Sequence, residues 1–291
     1  MRTFADDMEK EGYRVFRFSD YAQSPWHVFR TVLDTPQLVL LREALPIVET
    51  RYTIFLDGDS YPLSELSRAC ATMEEQGYGL ASVIVRPSKT VSWIEKLQDV
   101  EYQIAMINRR FRPWLTSGAC IIGRTEILRK VMEKHTTYFY GGDIEVGRLA
   151  KRFCKVCHLN LLVKTDVPST FFGWFKQRKG WWAGSFRHGI INFDKDLKSA
   201  PIWTVYISVI VWGLLGFRWF DLSKDWYILP AIMGMYTCLN MILAVRFRIR
   251  SYWLLAYPLY ALFQSLVLPP FGLLTYLRYS MKNHLWGRLR V

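Results

Sequence analysis

The chain has 291 residues, of which 51% are hydrophobic and 16% aromatic, so it can bury a sizeable core in one or two domains. Its net charge of +13 argues only weakly for a nucleic-acid partner, because the basic residues are spread along the chain and half of the excess flanks C-terminal apolar runs. We therefore expect no nucleic acid. Five cysteines show no disulfide framework, which suits a reducing compartment.

The first two thirds of the chain alternate β-rich and helical patterns, which predicts an α/β fold. The predicted strands cover residues 13–18, 52–56, 78–85 and 159–163, and the predicted helices cover residues 38–50, 63–77 and 91–108. Ligands of such folds bind beyond the carboxyl ends of the strands, so the residues that follow each strand are the first candidates for a site.

Two carboxylates follow the apolar run at residues 52–56, as Asp57-Gly58-Asp59. An apolar run of this kind predicts a parallel strand that is covered on both faces, with both acids at its tip. Hard oxygen ligands spaced in this way suit Mg²⁺ or Mn²⁺ held together with a diphosphate. The alternative is an Asp-Gly-Asp turn that only ends an ordinary strand.

Small residues follow at 116–120, among them Ser117, Gly118 and Ala119, and lead into a short apolar run. Small side chains let a bulky ligand approach the backbone, although the same pattern also fits a tight turn before a strand.

A third acid, Asp143, follows Gly141-Gly142 at the predicted start of a helix. An Asp at this point is usually an N-cap. The functional alternative is a general base that accepts the proton of a hydroxyl group.

The segment 171–189 is amphipathic, aromatic and basic, and it precedes the first long apolar run. It fits an interfacial helix with aromatic rings among lipid headgroups. Gln177 and Trp181 lie one helical turn apart, so they can also face a site where Arg178 or Lys179 meets a diphosphate and the indole stacks on a sugar. Both interpretations can hold together.

The C-terminal third reads as a membrane region, because residues 201–291 carry 9 Lys+Arg and only 2 Asp+Glu. Three apolar runs, 199–217, 226–245 and 251–277, approach the ~20 residues that a helix needs to cross a bilayer. Basic residues after the second and third runs favour the cytoplasmic side for both. Pro269-Pro270 interrupts the last run, which predicts a kinked or re-entrant segment and two or three spans in total.

Taken in order, these motifs resemble those of family 2 inverting glycosyltransferases, and most closely the processive membrane synthases of hyaluronan, chitin and cellulose. The resemblance implies a GT-A nucleotide-sugar domain over residues 1–170, an interfacial segment over 171–200 and a transmembrane region over 201–291. It also implies a multi-pass protein of the cell membrane with a cytoplasmic catalytic domain, a UDP-sugar donor, and Mg²⁺ or Mn²⁺ as the cofactor.

By the same resemblance, Asp57 contacts the nucleotide, Asp59 ligates the metal and Asp143 deprotonates the acceptor. Asp143 matches the last residue of the family's Thr-Glu-Asp motif, with Gly141-Gly142 in place of Thr-Glu. Ser117 and Gly118 would line the acceptor site.

Gln177, Arg178 and Trp181 resemble the family's Gln-x-x-Arg-Trp motif. Gly180 stands where that motif has its arginine, so Arg178 or Lys179 would have to supply the charge on the diphosphate. Trp181 would then stack on the acceptor sugar.

Only about fifty residues precede the Asp57 strand, whereas the family begins with a further strand and a nucleotide-recognising loop. The resemblance therefore implies an incomplete, Rossmann-like domain that lacks its first βαβ unit. The expected reaction is sugar transfer to a growing polysaccharide. Transfer of one sugar to a lipid-linked acceptor and an inactive partner subunit are the alternatives.

Overall fold

The computed structural model describes residues 41–42, 44–135, 141–191 and 228–282. A five-stranded sheet forms its centre, with β1 (Tyr52–Leu56), β2 (Ser60–Pro62), β3 (Leu80–Pro87), β4 (Cys120–Arg124) and β5 (Val156–Thr165) in the order β1-β4-β3-β5-β2. The helices are α1 (Leu66–Glu75), α2 (Trp93–Phe111), α3 (Thr125–Lys134), α4 (Gly142–Ala150), α5 (Phe171–Ile191), α6 (Ile228–Phe247), α7 (Tyr257–Leu266) and α8 (Leu268–Lys282). Short 3-10 helices lie at Leu45–Ile47 and Tyr252–Leu254. The predicted α/β class is confirmed, whereas the predicted strand at 13–18 and the apolar run at 199–217 lie outside the described residues.

The sheet is mixed. Strands β3 and β5 are parallel, while β4 is antiparallel to both of its neighbours, β1 and β3. Strands β1, β3 and β5 therefore run in one direction and their carboxyl ends meet at one edge of the sheet.

Our expectation of a parallel strand covered on both faces at residues 52–56 is wrong for the part of the chain that the structure describes. Strand β1 pairs antiparallel with β4 and every one of its residues is partly exposed. The reason is its position, because β1 ends the described sheet and pairs on one side only.

The core packs against both faces of the sheet, as the alternation of side chains along β4 requires. Ile121 joins a cluster with Leu128 and Val146 from helices α3 and α4. Ile122, the next residue, joins the cluster on the opposite face with Met73 of α1. Helices on both faces of one sheet complete a layered α/β domain.

Helix α2 begins with a capping box. The Ser92 hydroxyl accepts a hydrogen bond from the Glu95 amide at 3.2 Å, and Glu95 Oε2 accepts from the Ser92 amide at 2.7 Å. These amide bonds hold the pKa of Glu95 below its usual value. The cap fixes the start of the helix that carries Glu101 and Arg109 toward the candidate site.

Two of the predicted apolar runs are helical. Helix α6 covers most of the second, and the third forms α7 and α8 with an interruption at Val267. The prolines that suggested this break, Pro269 and Pro270, occupy the first turn of α8, where a missing amide proton costs no helical hydrogen bond. Within the described ranges, Tyr257–Arg278 is the one helical stretch long and apolar enough to cross a membrane.

Helices α5 and α8 pack so closely that one glycine sets their separation. A Cβ atom on Gly272 would lie 2.5 Å from Trp182 Cβ and 3.1 Å from the Ala183 amide nitrogen, both in α5. This contact belongs to an aromatic core that includes Trp174 of α5 and Tyr260 of α7.

We predict that Gly272→Ala destabilises the protein by about 1–3 kcal/mol, because the added methyl group forces the two helices apart. Thermal unfolding of the detergent-purified protein measures the effect. Gly234→Ala in α6 is the control, since its Cβ would meet nothing within 4 Å. An unfolding temperature for Gly272→Ala equal to that of Gly234→Ala would contradict the close packing.

Candidate active site

The Asp57-Gly58-Asp59 sequence forms the turn between β1 and β2. The Asp57 amide donates to the Ala119 carbonyl at 3.3 Å, and the Ser60 amide donates to the Asp57 carbonyl at 2.9 Å. The backbone at these residues therefore forms the turn that the alternative interpretation predicts. Whether the turn does more depends on what surrounds its two carboxylates.

Asp59 is exposed and is held from the side by two hydroxyl groups. Its Oδ1 accepts from Ser60 Oγ at 3.2 Å and from Thr165 Oγ1 at 3.3 Å. Because Thr165 is the last residue of β5, these bonds tie the carboxylate to the edge where the parallel strands end.

Gly118 lies between the other two acids. Its amide donates to Asp143 Oδ2 at 3.0 Å, and a Cβ atom on Gly118 would lie 3.4 Å from Asp57 Oδ2. Asp57 and Asp143 are 86 positions apart in sequence. The fold nevertheless brings both of these predicted site residues to the segment of small residues at 116–120.

Asp143 does not occupy the N-cap position of α4. Gly141 is the N-cap residue, with a φ of 85° in the left-handed region that favours glycine, and Asp143 is the second residue of the helix. Its carbonyl oxygen accepts from the Thr116 hydroxyl, and its carboxylate accepts from the Gly118 amide. The side chain therefore points out of its own helix toward the loop.

A second glycine sets the distance between α4 and that loop. A Cβ atom on Gly147 would lie 2.0 Å from the Trp114 carbonyl oxygen and 2.9 Å from Thr116 Oγ1. No side chain fits at Gly147 without moving backbone, so the contact holds Asp143 against Gly118.

The electrostatics of the site follow first from burial and then from the closeness of its charged groups. Burial, together with the neighbouring Asp59 and Asp143 carboxylates, raises the pKa of Asp57 to about 7. Burial also raises the pKa of Asp143, while the Arg109 guanidinium and the Gly118 amide oppose that rise.

Arg109 belongs to the site, although the sequence did not single it out. It comes from the last turn of α2, where burial lowers the pKa of its guanidinium and Asp143 counteracts this. The signal that could have found it is the basic run at 109–112, which directly follows the helix predicted over residues 91–108.

The predicted diphosphate ligands lie on α5, and Arg178 among them is fully buried. Its Nη2 donates to Glu101 Oε2 at 2.6 Å and its Nη1 to Gln177 Oε1 at 2.6 Å. The guanidinium also lies 3.8 Å from the centre of the Trp181 ring. Lys179 is partly exposed, so of the two candidate charges it is the more accessible to a ligand.

The Glu101 carboxylate also accepts hydrogen bonds from side chains of the C-terminal region. Gln264 Nε2 donates to its Oε1 at 3.2 Å, and the Tyr260 hydroxyl donates to its Oε2. Trp174 Nε1 in turn donates to the Tyr260 oxygen at 2.7 Å. This network joins α2, α5 and α7 into one unit, a connection that no local pattern predicted.

A second buried ion pair joins α5 to α4. Arg187 Nη2 lies 2.7 Å from Glu145 Oε2, and both side chains are almost fully buried. Glu145 follows Asp143 by two residues. Helix α5 is therefore anchored both to the helix that carries Arg109 and to the helix that carries Asp143.

Comparison with protein families identifies the family. The model of the glycosyl transferase family group 2 matches residues 52–266, from the first residue of β1 to the last residue of α7. The chain belongs to this family. A search of curated proteins found no match. Membership supports a glycosyltransferase activity, with a nucleotide-sugar donor and an acceptor.

Enzymes of this family typically depend on a divalent metal, and the residues present fit one. The described ranges contain no group of three or more His, Cys, Asp or Glu side chains that could hold a metal by themselves. Asp57 and Asp59 supply hard carboxylate oxygens, and a glycosyltransferase's diphosphate substrate would supply the remaining ligands of Mg²⁺ or Mn²⁺. Burial and the repulsion of neighbouring carboxylates together raise the pKa of Asp57, and a bound cation would relieve the repulsion.

We predict that Arg178→Ala lowers the stability of this glycosyltransferase by about 3–5 kcal/mol, because it leaves the Glu101 carboxylate without its ionic partner. Lys179→Ala, its partly exposed neighbour, should change stability by less than about 0.5 kcal/mol. Chemical denaturation of both variants in detergent provides the comparison. Equal stability of the two variants would show that the Glu101 pair does not hold the helices together.

Proposed function

We propose that the chain is a membrane-bound, inverting glycosyltransferase that extends a polysaccharide from a UDP-sugar on the cytoplasmic face. One observation carries the proposal, namely that Asp57 and Asp143 meet at Gly118, with Asp59 next to Asp57, at the edge where β1, β3 and β5 end. Ligands of open α/β sheets bind at this edge. Asp57 and Asp59 act together on the nucleotide-sugar donor. Asp143 is separate, and its carboxylate accepts a hydrogen bond from the Gly118 amide.

Asp57 and Asp59 bind the nucleotide-sugar donor. Asp57, which is partly buried, contacts the nucleotide, and the exposed Asp59 holds the metal. Mg²⁺ or Mn²⁺ bound there would neutralise the charge on the leaving diphosphate. Gln177 and Lys179 contact the diphosphate from α5, while Arg178 acts from its buried position by holding Gln177 and the Trp181 ring in place.

The base is Asp143. It takes the proton of the acceptor hydroxyl while that oxygen bonds to the anomeric carbon and the diphosphate leaves from the opposite face, so the anomeric centre inverts. Burial raises the pKa of Asp143 above its usual value, which makes its carboxylate a stronger base. Its bond from the Gly118 amide fixes the direction of the carboxylate.

The acceptor site lies between the loop and α5. Ser117 and Gly118 leave room for a sugar close to the backbone, since neither carries a large side chain. The Trp181 ring is 42% exposed and has Arg178 against it, which leaves indole surface for stacking on a sugar ring.

The proposed membrane region consists of α6, α7 and α8. The stretch Tyr257–Arg278 is long and apolar enough to supply one crossing, and α6, which covers most of the second apolar run, would supply another. Large apolar side chains point away from the protein along α6, including Met235, Leu239 and Val245, which suits contact with lipid. Phe171 and Phe172 at the start of α5 are exposed as well, which suits an interfacial position for that helix.

If Asp59 ligates the metal, Asp59→Asn loses the metal-dependent part of UDP-sugar binding and stays folded, because a neutral amide is a poorer ligand for a hard cation. Titration calorimetry with and without Mn²⁺ measures this. Glu75→Gln, which changes an exposed carboxylate at the end of α1, should bind like the wild type. An unchanged Mn²⁺ dependence in Asp59→Asn would refute the assignment.

If Asp143 is the base, Asp143→Asn keeps UDP-sugar binding and loses transfer by about 100-fold or more. The amide oxygen of Asn still accepts the bond from Gly118, so the loop should keep its conformation. Radiolabelled sugar transfer and UDP binding are measured on the same preparation. A variant that transfers at nearly the wild-type rate would leave Asp143 with a structural role only.

The size of the labelled product distinguishes a polysaccharide acceptor from a lipid acceptor. A long polymer that resists lipid extraction supports polysaccharide extension, whereas a single glycolipid would contradict it. A purified chain that binds no UDP would contradict both and favour an inactive partner subunit.

A further inference from the structure

A cavity of about 410 Å³ lies between the end of α6 and the 3-10 helix Tyr252–Leu254, away from the three acids. Its walls are mostly apolar and include Met241, Val245, Ile249 and Leu255. Its volume lies in the range of small-molecule sites. Met241, Val245 and Leu255 are themselves exposed, so the cavity opens onto the surface that the proposed function assigns to lipid.

Two arginines, Arg248 and Arg250, stand in the wall of this apolar cavity, and both side chains are exposed. Residues 226–291 contain seven Lys and Arg and no Asp or Glu, so no acidic side chain of this region competes for them. An apolar cavity with cationic groups at its wall fits a ligand that has an acyl chain and an anionic head.

The backbone at Arg248 supplies an independent observation. Helix α6 ends with a bond from the Ile249 amide to the Ala244 carbonyl at 2.9 Å, which places Arg248 at the position that usually holds glycine. Its φ is 55°, and no other non-glycine residue in the described part of the chain has a positive φ. An arginine held in a conformation that favours glycine points to a use for its charge.

The cavity also adjoins the transferase domain. Trp253 belongs to the 3-10 helix that forms one side of the cavity, and Lys96 of α2 lies over its ring with Nζ 5.7 Å from the ring centre. A ligand in the cavity would therefore lie next to the joint between the membrane helices and the helix that carries Arg109.

We propose that this cavity binds one anionic phospholipid of the surrounding bilayer. Arg248 and Arg250 bind its phosphate, and one acyl chain packs along Met241 and Val245. The inference rests on the proposed membrane location, and it does not depend on which sugar is transferred or on activity.

The test measures lipid retention on the detergent-purified 291-residue chain by native mass spectrometry. We expect the wild type to retain one phosphatidylglycerol about tenfold or more tightly than phosphatidylcholine. Arg248→Gly should lose this preference and still unfold at the same temperature as the wild type or higher, because glycine favours the left-handed conformation. Arg250→Gln should weaken the preference.

Arg278→Gln is the matched control, since it removes one exposed positive charge of the same region without touching the cavity. It should keep the preference for phosphatidylglycerol. Equal retention of the two lipids by the wild type, or full retention by Arg248→Gly, would overturn the proposal. The proposal would also be overturned if inorganic phosphate stabilised the wild type against heat as much as phosphatidylglycerol does. That result would indicate a site for free anions.

Alkaline carbonate extraction separates this proposal from the one on which it rests. A chain that carbonate releases from membranes would contradict the membrane location and the lipid site together. A chain that stays in the membrane but does not discriminate between the two lipids would contradict the lipid site alone.

Discussion

The repulsion among Asp57, Asp59 and Asp143 is the constraint on which the arrangement of the transferase domain depends. Burial and the nearby Asp59 and Asp143 carboxylates raise the pKa of Asp57 to about 7, and like charges held together in this way destabilise the folded state unless other groups oppose them. The opposing groups come from separate elements. Hydroxyl groups of Ser60 and Thr165 bind Asp59, and the Gly118 amide binds Asp143.

Close backbone packing keeps these opposing groups in place. Helix α4 rests on the loop before β4 at Gly147, where even a methyl group would overlap the Trp114 carbonyl oxygen. Because Gly118 has no side chain, the carboxylates of Asp57 and Asp143 can both lie next to it. The site is thus built by two positions that lack side chains, one on the helix and one on the loop.

Helix α5 connects this site to the C-terminal apolar helices. Its two buried ion pairs, Arg178–Glu101 and Arg187–Glu145, reach the two helices that supply Arg109 and Asp143. Glu101 also accepts hydrogen bonds from Tyr260 and Gln264 of α7. Buried ion pairs favour one geometry, because a charge that is separated from its partner in the interior costs several kcal/mol, about 3–5 in typical cases. The position of the apolar helices and the geometry of the site are therefore coupled.

The sequence by itself determined the order and type of most elements, the acids at the end of a strand, and an interruption of the last apolar run close to Pro269. These features follow from local periodicity and from residues such as proline, whose effects act within a few positions. Only the tertiary structure decided that β4 lies antiparallel beside β1, that Gly118 separates Asp57 from Asp143, and that Arg109 joins them. It likewise paired Arg178 with Glu101, 77 positions away, where the sequence had suggested a diphosphate. Pairings between distant residues depend on how elements pack in space, and a local pattern carries no information about that packing.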